Sequence, residues 1–344
     1  MANLSVDEKL KLIKRNLFEV LGEDELDKKI KFGKKFVVYW GTAPTGKPHV
    51  GYFFPMLKLA DLLRAGCYVK ILIADIHGAL DNSPWEVLDF RYKYYTKAIK
   101  LMIESFGVES SNLEFVKGSD FQLEKKYVLD LLKLTSFTSL RDARKAAAEV
   151  VKNSQGDSAK ISGFVYPLMQ SLDEVYLKAD AQLGGTDQRK IMVLARENLV
   201  RLGYEKRIEL MNPLVPGLIG EKMSASDEKS KIDLLDDEKS VLKKLKGAEM
   251  VTGNSNNGVM AFLKYVLMVL KKDAAEKFII ERPEKYGGNL EYSDYEILEK
   301  DYVGNKIHPL DLKLAVAKEV SLMLKHLQKK RKELEVLAEK GWEI

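Results

Sequence analysis

A run of large apolar residues, FVVYW at 36–40, leads into a turn, TGKPHVGY at 45–52, and then into apolar positions at helical spacing through 53–63. A buried strand, a glycine-containing turn and a helix, in that order, open a unit that commits a chain to a parallel sheet with helices on both faces. The alternation continues with a strand-like run at 68–74, a helical pattern at 85–105, a strand-like run at 113–116 and several further helices. The expected architecture is α/β, a doubly wound parallel sheet, preceded by an N-terminal helix over about residues 6–20. In such a unit the turn aims backbone N–H groups and the helix start at an anion. His49 adds a donor that stays neutral or becomes charged near pH 7. By itself it reads as a structural histidine.

The pattern changes past residue 233. Strand-like runs nearly vanish and amphipathic, lysine-rich helices take over, so two domains are expected, 1–232 and a helical 233–344. With 344 residues, 46% of them hydrophobic, the chain has apolar material for both. The charge-dense stretch 325–339 reads as a solvated helix or a frayed tail. No apolar run reaches membrane-spanning length, and the first residues, MANLSVDEK, resemble neither a signal h-region nor an Arg-rich presequence. The single cysteine, Cys67, excludes an internal disulfide and a cysteine metal cluster, which suits a reducing compartment and a cytoplasmic location. A net charge of +5 is too small to argue for nucleic-acid binding by itself.

A second loop, EKMSAS at 221–226, follows the turn-rich NPLVPG at 212–217. Alone, its Lys222 reads equally as a solvated surface lysine. Downstream of TGKPHVG in an α/β pattern, the pair resembles the HIGH and KMSKS motifs that form the split ATP site of class I aminoacyl-tRNA synthetases. The segment VYPLMQSLDEVYL at 165–177, then AQLGGTDQRK at 181–190, with Tyr39 just ahead of Trp40 and Gly41, is similar more narrowly to the tyrosyl members, particularly those of eukaryotes and archaea. The likeness runs from about residue 10 to 324. It implies a Rossmann-like catalytic domain, an insertion at about 119–162 that forms the dimer interface and meets the acceptor stem, and a C-terminal α-helical anticodon-binding domain. The implied activity is that of a tyrosine-tRNA ligase. L-tyrosine and ATP, with Mg2+ carried on the triphosphate, form tyrosyl-adenylate and pyrophosphate, and the tyrosyl group then passes to the 3′ end of tRNA(Tyr). A homodimer and no protein-held metal are implied.

On helical spacing Tyr166, Gln170 and Asp173 fall at i, i+4 and i+7 and share one face, polar where a core face would be apolar. Without the flanking context, Tyr166 packing and Asp173 capping or pairing is the plainer reading. The resemblance implies instead that Tyr39 and Asp173 bind the phenolic hydroxyl, that Tyr166, Gln170 and Gln188 hold the ammonium group, and that Leu72, Ala74, His77, Phe121 and Gln122 line the pocket. For ATP it implies Gly41, Thr45, His49, Gly51, Gly185, Asp187 and Lys222, with Asp187 on the ribose hydroxyls. Thr45, His49, Lys222, Ser224 and Ser226 are the implied catalytic donors. For tRNA it implies Arg141, Arg144, Lys145 and Lys152 at phosphates, Tyr286 stacked on a splayed base and Asp311 at that base's edge.

An aspartate at the base of an apolar slot is costly unless something donates to it. Tyrosine donates and phenylalanine cannot; tyrosyl-tRNA synthetases are themselves the standing example of this discrimination without editing. No inserted editing domain is recognisable. Three positions depart from the family pattern: Tyr52 stands for the last histidine of the first motif, Ala225 for the second lysine of the other, and Ala43 where many relatives carry an acid. The nearest alternative is a tryptophanyl enzyme, whose loop often reads KMSAS, although indole offers no phenolic hydroxyl to Tyr39 and Asp173. A non-catalytic RNA-binding protein that kept the fold is the other.

Overall fold

The computed structural model describes residues 4–151, 159–217 and 231–343. Six strands form one sheet: β1 Glu19–Leu21, β2 Val37–Thr42, β3 Tyr68–Ile73, β4 Leu113–Lys117, β5 Ala181–Gly185 and β6 Ile208–Asn212. Their order is β1-β6-β5-β2-β3-β4. Strands β2 to β6 run parallel, and β1 pairs antiparallel with β6 at the edge. The chain moves outward from β2 through β3 to β4, then returns to the other side of β2 for β5 and β6. Strand order therefore reverses between β2 and β5, and in a doubly wound sheet ligands bind in the crevice above the carboxyl ends of such a pair.

Strands β2 and β3 are mostly apolar because both their faces are covered. Helix Phe53–Arg64 is buried along almost its whole length, and helix Leu88–Ser105 buries Tyr94, Tyr95, Ala98, Ile99, Met102 and Ile103. The N-terminal segment departs from expectation: the helix over 6–20 stops at Lys14. Ser5 and Glu8 cap its start reciprocally. Asn16 then takes a φ of 59° and Phe18 N–H donates to Met211 O at 2.7 Å, which turns the next residues into β1. The open edge of β6 captures the chain, and a local helical pattern carries no sign of that.

Past residue 233 come the helices Glu238–Gly247, Tyr295–Val303, Pro309–Gln328 and Arg331–Trp342, beside a small hairpin of β7 Phe278–Ile280 and β8 Leu290–Tyr292. The charge-dense stretch is helical but neither frayed nor simply solvated. Helix Arg331–Trp342 buries Leu334 and Ala338 and packs along Leu88–Ser105. A single apolar core runs from the sheet into these helices. Among the described residues no helix is long and apolar enough to cross a membrane.

Candidate active site

A cavity of about 270 Å³ opens in the crevice between β2 and β5. Strand β2 supplies Tyr39, Trp40, Gly41 and Thr42, the loop beyond it Ala43 and Thr45, and β3 with its continuation Leu72 and Ala74. Helix Asp75–Leu80 contributes His77, helix Ile161–Tyr176 contributes Tyr166, Gln170 and Asp173, and the turn after β5 contributes Asp187 and Gln188.

Asp173, 1% exposed, sits at the floor. Its Oδ1 accepts from Gln122 Nε2 at 2.8 Å and from Tyr127 Oη at 2.9 Å. Among the described residues nothing donates to Oδ2, and His77 Nε2, 3.8 Å away, is beyond hydrogen-bond range. Burial pushes the carboxyl up to about 7, against the pull of Gln122 and Tyr127. Burial also pushes His77 down to about 4, so the ring is neutral at pH 7 and the two do not form an ion pair there. His77 stands edge-on to Tyr166, with centroids 4.5 Å apart. Tyr39 is as buried as Asp173, yet its hydroxyl makes only a 3.5 Å approach to the Gln170 carbonyl. Burial, then the charge of Glu174 and Asp173, keeps that phenol protonated. The floor thus holds an acceptor oxygen without a donor and a hydroxyl without a good partner. Nearer the rim, Gln170 Nε2 donates to Gln188 Oε1 at 3.2 Å.

The turn at 45–52 joins β2 to helix Phe53–Arg64 as expected. His49 Nδ1 accepts from Gly51 N–H at 3.1 Å, which places the ring proton on Nε2. Burial first, and Lys231 second, push His49 down to about 4. Of the two states open to it near pH 7, the structure selects the neutral Nε2–H donor. Tyr52 lies edge-on to Trp40, His49 and Tyr95, with Oη 3.2 Å from Thr42 Oγ1, so it braces the loop from inside the turn. The segment just after the second motif returns to this loop. Val50 N–H donates to Ile232 O at 2.9 Å, His49 and Asp233 form an antiparallel bridge, and Lys47 Nζ lies 3.9 Å from Asp233.

One cavity therefore gathers Tyr39, Gly41, Thr45, Leu72, Ala74, His77, Tyr166, Gln170, Asp173, Asp187 and Gln188. Gln122 stands behind Asp173, and Phe121 packs edge-on against the Tyr127 ring. A Cβ on Gly41 would meet nothing closer than 3.5 Å, so the chain itself does not demand glycine there. At Gly184 a Cβ would come within 2.5 Å of Gln188 Oε1 and Met192 Cε, and at Gly185 it would strike Asp187. The space beside this glycine pair is taken up by the chain's own Gln188, Met192 and Asp187. Arg141, Arg144 and Lys145 are exposed on helix Leu140–Ala147, whose Ala143, Ala146 and Ala147 face inward. Tyr286, exposed at a turn, and Asp311, in the first turn of Pro309–Gln328, do not line the cavity. Lys152, Lys222, Ser224 and Ser226 lie outside the described residues. Sequence reasoning passed over Tyr127, Thr42, Asp81 and Val150. Tyr127 reaches Asp173 from 46 positions away, beyond any local pattern, whereas Thr42 was available as the residue following Gly41.

The chain matches the family model of class I tRNA synthetases (W and Y) over residues 31–325. The cytoplasmic tyrosine-tRNA ligase of Danio rerio is 54% identical to it, over 95% of this chain and 61% of the fish protein. The counterpart from Saccharomyces cerevisiae is 44% identical, over 100% of this chain and 90% of its own length. Tyrosyl-tRNA synthetase from Archaeoglobus fulgidus, solved in complex with L-tyrosine, superposes with a TM-score of 0.87 at 37% identity, covering 95% of this chain and 100% of that one. The chain spans about 60% of the length of the vertebrate relatives it matches. A family match across most of the chain, on a sheet whose crevice gathers the expected cavity residues, means that the chain belongs to the class I tRNA synthetases of the W and Y group.

Proposed function

We propose that the chain is a tyrosine-tRNA ligase that forms tyrosyl-adenylate from L-tyrosine and ATP and passes the tyrosyl group to the 3′ end of tRNA(Tyr). The observation that carries this reading is the pair of under-used groups at the cavity floor. Asp173 Oδ2 has no donor among the described residues, and Tyr39 Oη has only a long contact. A phenolic hydroxyl satisfies both at once, donating to the carboxylate and accepting from Tyr39. An indole N–H donates but cannot accept, and would leave Tyr39 without a partner. Phenylalanine would leave both groups unpaired.

From that anchor the remaining roles follow the cavity outward. In this reading Tyr166, Gln170 and Gln188 hold the ammonium group, Asp187 accepts from the ribose hydroxyls, and Gly41 allows close approach of the adenylate; all of them line the one cavity. The tyrosine carboxylate attacks the α-phosphorus and pyrophosphate leaves, a step in which an enzyme mainly positions groups and compensates charge. His49 enters as the neutral Nε2–H donor beside Thr45. Lys222, Ser224 and Ser226 are assigned to the same charge by sequence alone. Magnesium belongs to this reading as part of the ATP substrate; among the described residues no cluster of three or more His, Cys, Asp or Glu could hold a metal. A ribose hydroxyl of the tRNA's terminal adenosine then attacks the adenylate carbonyl. Arg141, Arg144, Lys145 and Lys152 are assigned to the acceptor stem, and Tyr286 and Asp311 in the helical domain after residue 232 to the anticodon. Helix Lys125–Phe137 exposes Leu129 and Leu132, with Leu123 and Leu140 exposed on either side, an apolar surface that suits a second copy of the chain. A cytoplasmic location goes with the names of the relatives.

Exchange of pyrophosphate into ATP, driven by one amino acid at a time, tests the proposal. Tyrosine-dependent exchange is expected. Exchange with tryptophan alone would reject it, and silence with every amino acid would favour an RNA-binding role.

A further inference from the structure

Three successive carbonyls, of Pro44, Thr45 and Gly46, where β2's loop enters the turn, are engaged by residues that do not line the cavity. Arg91 Nη1 lies 3.1 Å from Pro44 O and 2.8 Å from Thr45 O, Tyr95 Oη donates to Gly46 O at 2.6 Å, and Trp342 Nε1 donates to Thr45 O at 3.1 Å. Arg91 is buried, and among the described residues no carboxylate pairs with it. Its other partners are Ser83 Oγ at 2.9 Å and the Gly341 carbonyl, to which Nε donates at 2.8 Å. The Trp342 ring completes the assembly, with Arg91 5.0 Å from its centroid and Tyr94 edge-on at 5.2 Å. The last turn of helix Arg331–Trp342 thus closes on a loop 297 positions earlier in the chain.

The consequence is set by peptide geometry. A trans peptide is planar, so fixing a carbonyl on one side fixes the next residue's N–H on the other. Holding Thr45 O and Gly46 O therefore orients the N–H groups of Gly46 and Lys47, and neither finds an acceptor among the described residues. Thr45 N–H, by contrast, is already bound to Ala43 O at 2.9 Å. Two successive oriented donors make an anion cradle, which works only while the carbonyls cannot swing round to face the negative charge.

We propose that Trp342, through its own bond to Thr45 O, and Gly341, acting through Arg91, are together with Tyr95 positioning residues for the ATP triphosphate, so that the end of the C-terminal helix sets the geometry of the phosphate-binding turn. This rests on the ATP reading above. The test uses the full 344-residue chain and Trp342→Phe, which keeps the ring packing but removes the Nε1 donor. In tyrosine-dependent pyrophosphate exchange the variant should raise KM for ATP about 3- to 10-fold, the range for one lost hydrogen bond, and lower kcat. KM for tyrosine should stay within about twofold of the parent. Tyr95→Phe should shift the same two quantities, and Trp342→Ala should shift them further. Amide hydrogen exchange over residues 44–50 gives a readout independent of activity, and should speed up in Trp342→Phe. Unchanged ATP kinetics, or equal rises in KM for ATP and tyrosine, would overturn the proposal, as would unaltered amide exchange. If the parent itself shows no tyrosine-dependent exchange, the ligase reading fails, whereas the amide measurement still decides whether Trp342 holds the turn.

Discussion

The floor of the cavity and the turn at its mouth are built on opposite plans. At the floor the working groups are side chains: Asp173, Gln122, Tyr127, His77 and Tyr39 meet in a buried space and satisfy one another incompletely. At the mouth many of the working groups belong to the backbone, and distant residues hold them: Arg91 and Tyr95 from one helix, Trp342 from the chain's far end and Ile232 from beyond the second motif. Substitution at the floor should therefore change which molecule is accepted. Substitution around the turn should change how well one accepted molecule reacts.

The sharpest break in that contrast comes from Asp173→Ala. It removes the acceptor proposed for the phenol and leaves Gln122 and Tyr127 donating into a void, so kcat/KM for tyrosine should fall on the order of 10²- to 10³-fold. KM for ATP should stay within about twofold. Comparable losses for both substrates would mean that the floor is not separate from the mouth. A smaller effect follows from titration of the same carboxyl. Its pKa is raised to about 7, and a phenol donates best to the ionised form. KM for tyrosine should therefore be flat above pH 7 and climb about tenfold per unit below it. The stability consequence has the opposite sense. The folded protein keeps a proton that the unfolded chain releases near pH 4, so Asp173 favours folding most below that point and loses this contribution as pH rises towards 7. Asp173→Asn should flatten that part of the curve of melting temperature against pH. A tyrosine KM that does not vary between pH 6 and 8 would show that the carboxylate stays ionised throughout.

The two regions also differ in how far the sequence displayed them. Much of the floor was legible through the likeness to the tyrosyl enzymes, which drew attention to Asp173 on a polar helix face, to Tyr39 ahead of Gly41, and to His77 and Gln122; Tyr127 left no such sign. The bracing of the turn was not, since Thr45 and Trp342 meet only when helix Arg331–Trp342 lies along Leu88–Ser105. One trace of that packing is nevertheless present: Leu334, Ala338 and Trp342 recur every four residues and mark an apolar stripe within a stretch whose many charges suggested solvent. Strand β1 left no comparable trace. It spans three residues and exists because β6 offers an unpaired edge. For His49 the sequence left both protonation states open. Its burial beside Lys231, which makes it neutral, depends on residues that the local motif does not contain.

Tyr39→Phe makes the smallest change and discriminates most finely. A buried hydroxyl with good partners contributes to folding, and deleting it destabilises by about 1 kcal/mol or more. The Tyr39 hydroxyl has only its 3.5 Å approach to Gln170 O, at the limit of what counts as a hydrogen bond. Its removal should therefore leave stability within about 0.5 kcal/mol of the parent, measured by urea denaturation. If the hydroxyl is there to donate to a bound phenol, the same variant should weaken tyrosine binding about 3- to 10-fold, the value of one neutral hydrogen bond. ATP kinetics should not move. A loss of stability matching the loss of affinity would make Tyr39 a structural residue and leave Asp173 alone to recognise the hydroxyl. In that case indole, which also donates a single N–H, would compete with phenol for the same floor.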